Sequence, residues 1–299
     1  MALIPITVMY GHLEGNAGNF AREPSGLLAI DAGIFAHHGL DVSWTHVQGT
    51  EERYRRLEDG RAQISLVVGR ASLSHFLSSK TTRILGCAMN SCPYYLVADS
   101  KIDGLSGLKG KTIACREAPS RNTPLNATLE RLGAGHDVKL ELTASDENAF
   151  QLAVNGSVAA AILPRPFGFW AEERGLTRIS AWPAIVDDPM PITIETTERL
   201  LRERSDDLAR FVAVHRESIR YLKSNREEAL KMLQGKFGHS PTFAAKTFDE
   251  YFVCLNDRLT VDLRKLAQLV AQVNPGTTAD ARSIALEWIA EGALAAAAE

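Results

Sequence analysis

The 299-residue chain is poor in the features that mark several specialised protein classes. It has four cysteines, Cys87, Cys92, Cys115 and Cys254, which form no CxxC pair and have the histidines scattered around them. A structural zinc site needs clustered ligands, and a secreted disulfide scaffold is shorter and denser in cysteine. Free and mostly buried thiols are therefore expected, although the Cys87–Cys92 spacing permits a local bridge. No segment approaches the roughly 18 unbroken apolar residues of a membrane helix. Neither sign of charge dominates, since 33 basic and 36 acidic side chains leave a formal net charge of -3. That balance asks for no nucleic acid and no anionic membrane as partner. The GxSxG nucleophile elbow, the P-loop and the GxGxxG fingerprint are all missing. No internal repeat is present, and the Ala-rich end is expected to fray.

What the chain does contain is an alternation of strand and helix signals. Residues 4–10 form a β-branched run, followed by a polar loop with glycines and asparagines over residues 11–19. The periodicity predicts a helix over 27–38 stopped by Gly39, and a strand over 40–47 with Val42, Trp44 and His46 on one face. A charged helix over 51–59 turns Tyr54 and Leu57 inward. Residues 64–68 are a compact apolar strand of the kind covered on both faces, and a helix over 72–78 and a strand over 84–89 follow. The rhythm restarts with strands at 111–115, 138–142, 158–163 and 177–180. Helices at 124–132, 148–155 and 167–174 intervene, each ended by a glycine (Gly133, Gly156 and Gly175). After Pro183, Pro189 and Pro191 comes a short strand at 192–195. Helical patterns then fill 198–204, 206–224, 226–237, 241–255, 261–271 and 279–298. Strands alternating with helices imply βαβ units, mostly parallel sheets and right-handed crossovers. The length suits two domains.

Four segments carry a family resemblance. GLLAIDAGIFAHHGLDV, LEDGRAQISLVVGRA, IDGLSGLKGKTIAC and LTASDENAFQLAVNGSVAAAILPRPFGFWAEERGL resemble the nitrate, sulfonate and taurine binding proteins of ABC importers, grouped with the thiamine-pyrimidine-precursor proteins. The likeness covers roughly residues 4–200, with Gln63 standing where that family usually has Asp. It implies an α/β, two-lobe periplasmic binding protein type II fold. Each lobe would be a mixed, mostly parallel sheet flanked by helices, with residues 1–97 and 190–299 in one lobe and 98–189 in the other. Two hinge strands, near 93–98 and 188–193, would join them. The implied function is capture of a small polar ligand, anionic or heteroaromatic, by hinge closure over an interlobe cleft. The implied partners are that small-molecule ligand and an ABC permease, with a monomeric receptor, no nucleic acid and no cofactor or metal.

Ligands of open α/β sheets sit beyond the carboxyl ends of strands, where helix N-termini offer free N–H groups to anions. The loops at those ends supply the candidate ligand-binding residues. They are Tyr10, Gly11, His12 and Asn16 after the first strand, then Gly69, Arg70 and Ala71 with Ser72 after the third. Asn90 and Ser91 end the next strand. Arg116, Ser120, Arg121 and Asn122 precede a helix opened by Thr123-Pro124, and Arg165 stands between Pro164 and Pro166. Arginine suits a carboxylate, sulfonate or phosphonate because its fork can make two parallel hydrogen bonds.

Two other functions fit the same resemblance. The fold is shared by an aromatic desulfinase, decarboxylases and a pyrimidine synthase, so an enzyme is the first alternative. The desulfinase carries its cysteine nucleophile just after the first strand, where this chain has His12, and the synthase's Cys-rich motif is missing. A ligand sensor is the second alternative. The first ten residues, MALIPITVMY, lack the basic start of an export leader and read as a buried strand. The expected location is thus periplasmic if a leader was removed and cytoplasmic if Met1 is the natural start.

Overall fold

The computed structural model describes residues 2–10, 23–47, 49–90, 94–116, 137–181, 192–274 and 280–293, with the backbone alone at residues 68, 70, 180 and 181. The chain divides into two compact units, residues 1–90 with 189–299 and residues 91–188. The first unit opens with β1 (Ile4–Tyr10), whose Ile6, Val8 and Met9 are buried. The helix expected over 27–38 is two helices, α1 (Ser25–Asp31) and α2 (Ile34–His37). Gly33 divides them because its φ of 70° is left-handed and cannot continue a right-handed helix. β2 (Leu40–His46) then pairs in parallel with all of β1, from Ile4 opposite Leu40 to Tyr10 opposite His46. Leu40 and Val42 are buried and Trp44 is half-buried, while His46, on the same face as Val42 and Trp44, is exposed at the strand's end.

α3 (Thr50–Glu58) buries Tyr54 and Leu57, one turn apart, against Met9, Val47 and Ala62. β3 (Ile64–Val68) lies beside β1 and passes without a loop into α4 (Gly69–Ser79), and β4 (Thr82–Met89) completes this stretch.

The second unit holds β5 (Tyr94–Ala98), β6 (Thr112–Arg116), β7 (Lys139–Thr143), α5 (Asp146–Val154), β8 (Ala160–Pro164), α6 (Phe167–Glu173) and β9 (Thr177–Ala181). Its sheet has the order β7-β6-β8-β5-β9. β6 is parallel to β7 and β8, whereas β5 runs antiparallel to β8 and β9. Residues 94–97, placed with the first lobe from sequence, therefore pair inside the second unit's sheet. Every residue of β5 and of β8 is buried, as befits strands covered on both faces. The YYLVA run offers no charged residue for a solvated face, and the sheet's interior is where such a run fits.

The chain returns as β10 (Ile192–Thr197), which inserts antiparallel between β3 and β4 to give the order β2-β1-β3-β10-β4. Helices follow: α7 (Glu198–Glu203), α8 (Ser205–Ser224), α9 (Arg226–Phe237), α10 (Pro241–Lys246), α11 (Leu263–Val273) and α12 (Ala281–Trp288). α8 buries Leu208, Phe211, Val214, His215, Ser218, Ile219 and Leu222, a stripe at helical spacing. The continuous helix expected over 241–255 gives way after Lys246 to a wider π turn at Thr247–Tyr251 and a tighter turn at Phe252–Cys254. The change of winding lets the consecutive Tyr251 and Phe252 both reach the interior. A core of Leu73, Phe76, Ile84, Leu266, Leu269 and Trp288 joins α4, β4, α11 and α12, with the Phe76 and Trp288 rings stacked at 5.4 Å.

Gly86 in β4 faces the backbone of Leu259, whose carbonyl accepts from the Cys87 N–H at 3.0 Å. A Cβ at Gly86 would lie 2.8 Å from that carbonyl oxygen, whereas one at Gly235, inside α9, would meet nothing within 4 Å. Gly86→Ala is therefore expected to cost roughly 1–3 kcal/mol by overpacking. Gly235→Ala is expected to add about 0.5–1 kcal/mol through helix propensity. Urea unfolding of the two variants checks the pair, and equal midpoints would show that Leu259 yields freely.

Candidate functional site

In the first unit the carboxyl ends of β1, β2, β3 and β4 share one edge. β1 is parallel to β2 and β3, and Ile192 at the start of β10 lies opposite both Val68 and Met89. The chain leaves the unit after Asn90 and resumes it just before Ile192, at this same edge. Tyr10 stands there half-buried, its ring 5.8 Å from His46 and 6.5 Å from Trp44, and burial raises its phenol pKa. α4 starts at buried Gly69 with Arg70 second and exposed Ala71 third, and its first turn has no acidic residue. Its leading N–H groups thus meet no carboxylate of their own helix. The Asn90 amide donates to the Thr260 carbonyl at 3.1 Å and accepts from the Asp262 N–H at 3.0 Å, so it ties β4 to the segment before α11. Gly11, His12, Asn16 and Ser91 lie outside the described residues.

Beneath this edge is a buried polar cluster that the sequence did not single out. The carboxyl of Glu195, on β10, is fully buried. It accepts from Thr193 Oγ1 at 2.6 Å, from Tyr54 at 3.3 Å and from the Ser72 hydroxyl, drawing together α3, α4 and β10. Burial pushes its pKa up to about 7, against the pull of those hydroxyls. The Tyr54 ring stacks on His75 at 3.8 Å. Cys87 is buried close by, and burial raises its thiol pKa, helped by the Glu195 and Asp262 carboxyls.

A second buried carboxyl, Glu23, accepts from the Ser25 N–H at 2.9 Å at the start of α1. Its other oxygen sits 3.4 Å from His215 Nε2, and both side chains are sealed from solvent. Burial drives each toward its neutral form, Glu23 up to about 7 and His215 down to about 3. Between about pH 3 and pH 7 the contact thus joins a protonated acid to a neutral imidazole. Trp44 covers His215 with ring centroids 5.5 Å apart. Gly26 makes room for that indole, since a Cβ there would lie 2.2 Å from it.

In the second unit, β6, β7 and β8 also end at one edge, beside the first residue of β5 and the last of β9. Arg116 ends β6 with its side chain 48% exposed, and its guanidinium is 3.7 Å from the buried carboxyl of Asp146. Asp146 and Glu147 occupy the first turn of α5, and Ser145 caps it by accepting from the Asn148 N–H at 3.0 Å. That helix end is answered by its own carboxylates. Arg165, between β8 and α6, is 3% exposed and so lies within the unit at the strand's end. Ser120, Arg121, Asn122, Thr123 and the helix expected at 124–132 lie outside the described residues. Among the described residues no cluster of three metal-binding side chains occurs.

Comparison with known proteins settles the family. The family model described as NMT1/THI5 like matches residues 25–229. The chain belongs to the NMT1/THI5-like family. Among curated proteins, none matches the sequence. Solved structures share the fold of this NMT1/THI5-like chain at low identity. The periplasmic sulfonate-binding protein SsuA from Methylobacillus flagellatus aligns with a TM-score of 0.71 at 13% identity, over 99% of this chain and 94% of that one. The periplasmic aliphatic sulphonate binding protein SsuA from Escherichia coli gives 0.68 at 15%, over 92% of each. The desulfurization enzyme DSZB gives 0.66 at 14%, over 98% of each. The NMT1/THI5-like chain therefore has the periplasmic binding protein fold expected from its sequence.

A glutamate inside the β-branched run ITIETT was the one available signal for the Glu195 cluster, since a charge on a covered strand needs partners. Because its folded-state pKa lies above the ordinary value of 4.5, its contribution to stability is complete below about pH 4.5 and is lost as pH rises through about 7. Glu195→Gln is expected to lose about 1–3 kcal/mol less than the parent between pH 6 and pH 8.5. Urea midpoints across that range test this, and parallel pH profiles would mean the carboxyl is ionised throughout.

Proposed function

We propose that this chain is a substrate-binding protein that captures a small anionic or heteroaromatic ligand at the carboxyl edges of its strands and delivers it to the permease of an ABC importer. The observation that carries the reading is the start of α4. The helix begins directly at the end of β3, its first turn holds no acidic residue, and Arg70 is its second residue. A positive helix end and an arginine position then coincide where α/β sheets bind their ligands. Arg116 supplies a half-exposed cation at the corresponding edge of the second unit. Two of the proteins sharing the fold are named for sulfonate binding, which supports an anion with a tetrahedral head. On this reading the protein works as a monomer on the periplasmic side of the membrane.

The desulfurization enzyme among the structural relatives keeps an enzymatic alternative in view. Against a cysteine nucleophile, Cys87 and Cys115 are buried, and Cys87 is held as the thiol. The acid–base pair of Glu23 and His215 is likewise sealed from any substrate.

Titration calorimetry against alkanesulfonates, carboxylates and pyrimidines tests the proposal. Arg70→Ala and Arg116→Ala should each weaken the best anion by about 1.5–3 kcal/mol, the scale of a hydrogen bond to a charged group. Unchanged affinity in both variants would reject this site. Turnover of a bound compound would favour the enzyme.

A further inference from the structure

Beside the stripe that faces the core, and sharing Leu208 with it, α8 presents a second run of mostly apolar residues. Ser205, Leu208, Ala209, Val212, Ala213 and Arg216 recur at helical spacing and line a cavity of about 390 Å³ within the first unit. Leu85 of edge strand β4, Leu201, Leu259 and Ala290 complete its walls. The small side chains of Ala209 and Ala213 leave the space open, and the volume lies within the roughly 300–1,000 Å³ range of small-molecule pockets. Among the described lining residues, only Ser205 and Arg216 have polar side chains.

Arg216 is the unusual member. Its Nε is buried without a hydrogen-bond acceptor, and no carboxylate among the described residues pairs with it. Its neighbour Glu217 is engaged elsewhere, 3.0 Å from His38. The charged groove that adjoins the cavity gives the contrast. There Glu198 pairs with Arg83 at 2.9 Å and with Arg202 at 3.1 Å, and Glu287 pairs with Lys80 at 2.8 Å. A guanidinium left without an anion at the rim of an apolar hollow calls for a guest that brings one.

We propose that this cavity is a second binding site, distinct from the strand-end edges, for a small amphiphile with a single carboxylate head and an unbranched alkyl tail. The tail fills the Leu85, Val212 and Leu259 pocket, and the head takes the two-pronged hydrogen bond of Arg216. The inference is independent of the receptor reading, because it uses none of the residues assigned to that function.

Octanoate is the probe, titrated into the full chain by calorimetry and by methyl NMR, with octanol and acetate as partial mimics. Octanoate should bind and shift the methyls of Leu85, Val212 and Ala213. Acetate, lacking the tail, should not bind. Arg216→Gln should weaken octanoate at least tenfold while leaving octanol unchanged. Ala213→Trp, at an exposed position on the rim, should fill the cavity and abolish binding of both. Neither variant should alter an anion bound through Arg70 and Arg116. Equal octanoate affinity in the parent and Arg216→Gln would overturn the proposal, as would shifts at the methyl of Ala71, at the strand-end edge, in place of that of Ala213. So would contacts from the methyls of residues 294–298 to Val212 without octanoate uptake, which would assign the cavity to the chain's own end.

Discussion

Each sheet is completed by a strand that comes from a chain crossing and runs against its neighbours. β10 enters the first unit between β3 and β4, and β5 enters the second between β8 and β9. The antiparallel sense has a geometric consequence. A strand that starts at the carboxyl edge of its parallel neighbours must bring the crossing to that edge. In both units the crossings and the ends of the parallel strands are therefore gathered on the same side. That is also the side where loops and helix starts offer unspent N–H groups.

The insertion of β10 also accounts for the buried acid. Glu195 comes into a sheet interior already flanked by α3 and α4, where an ionised carboxylate would forfeit several kcal/mol of hydration. Its three hydroxyl partners return about 1 kcal/mol each. Lost hydration outweighs what they return, and the proton is held up to about pH 7. Glu23 reaches the same outcome with a backbone N–H and an imidazole, so the first unit carries two buried acids whose pKa burial raises to about 7. Their partners come from elements far apart in sequence: Tyr54 and Glu195 are separated by 141 positions.

That separation explains which parts could be read from the residues in order. β1 and β3 were legible to their end residues because β-branched runs bounded by glycine or polar residues leave little choice. Gly39, Gly156 and Gly175 end their elements in the left-handed region, as expected. Gly33 has the same conformation inside an otherwise regular apolar repeat, so the break between α1 and α2 did not show in the pattern. The winding change after Lys246 was hidden in the same way, because it answers to packing of Tyr251 and Phe252. Among the candidate site residues, Tyr10, Gly69 and Arg116 could be named because they stand at or directly after strand signals. Glu23, Asp146 and His215 could not, since each is defined by what packs on it.

The placement of β10 has a consequence for the order in which the protein is built. During synthesis the second unit is continuous, and all of its strands have left the ribosome by residue 181. The first unit cannot close then. β3 and β4 have emerged, but the strand that lies between them begins at Ile192 and the helices that cover β4 come later still. The nascent first unit must wait, with an unsatisfied edge on β3, while roughly a hundred residues assemble ahead of its completion. Pairings of such long sequence span form slowly. The middle segment is thus the natural first folder, and the unit that begins the chain is the last to finish.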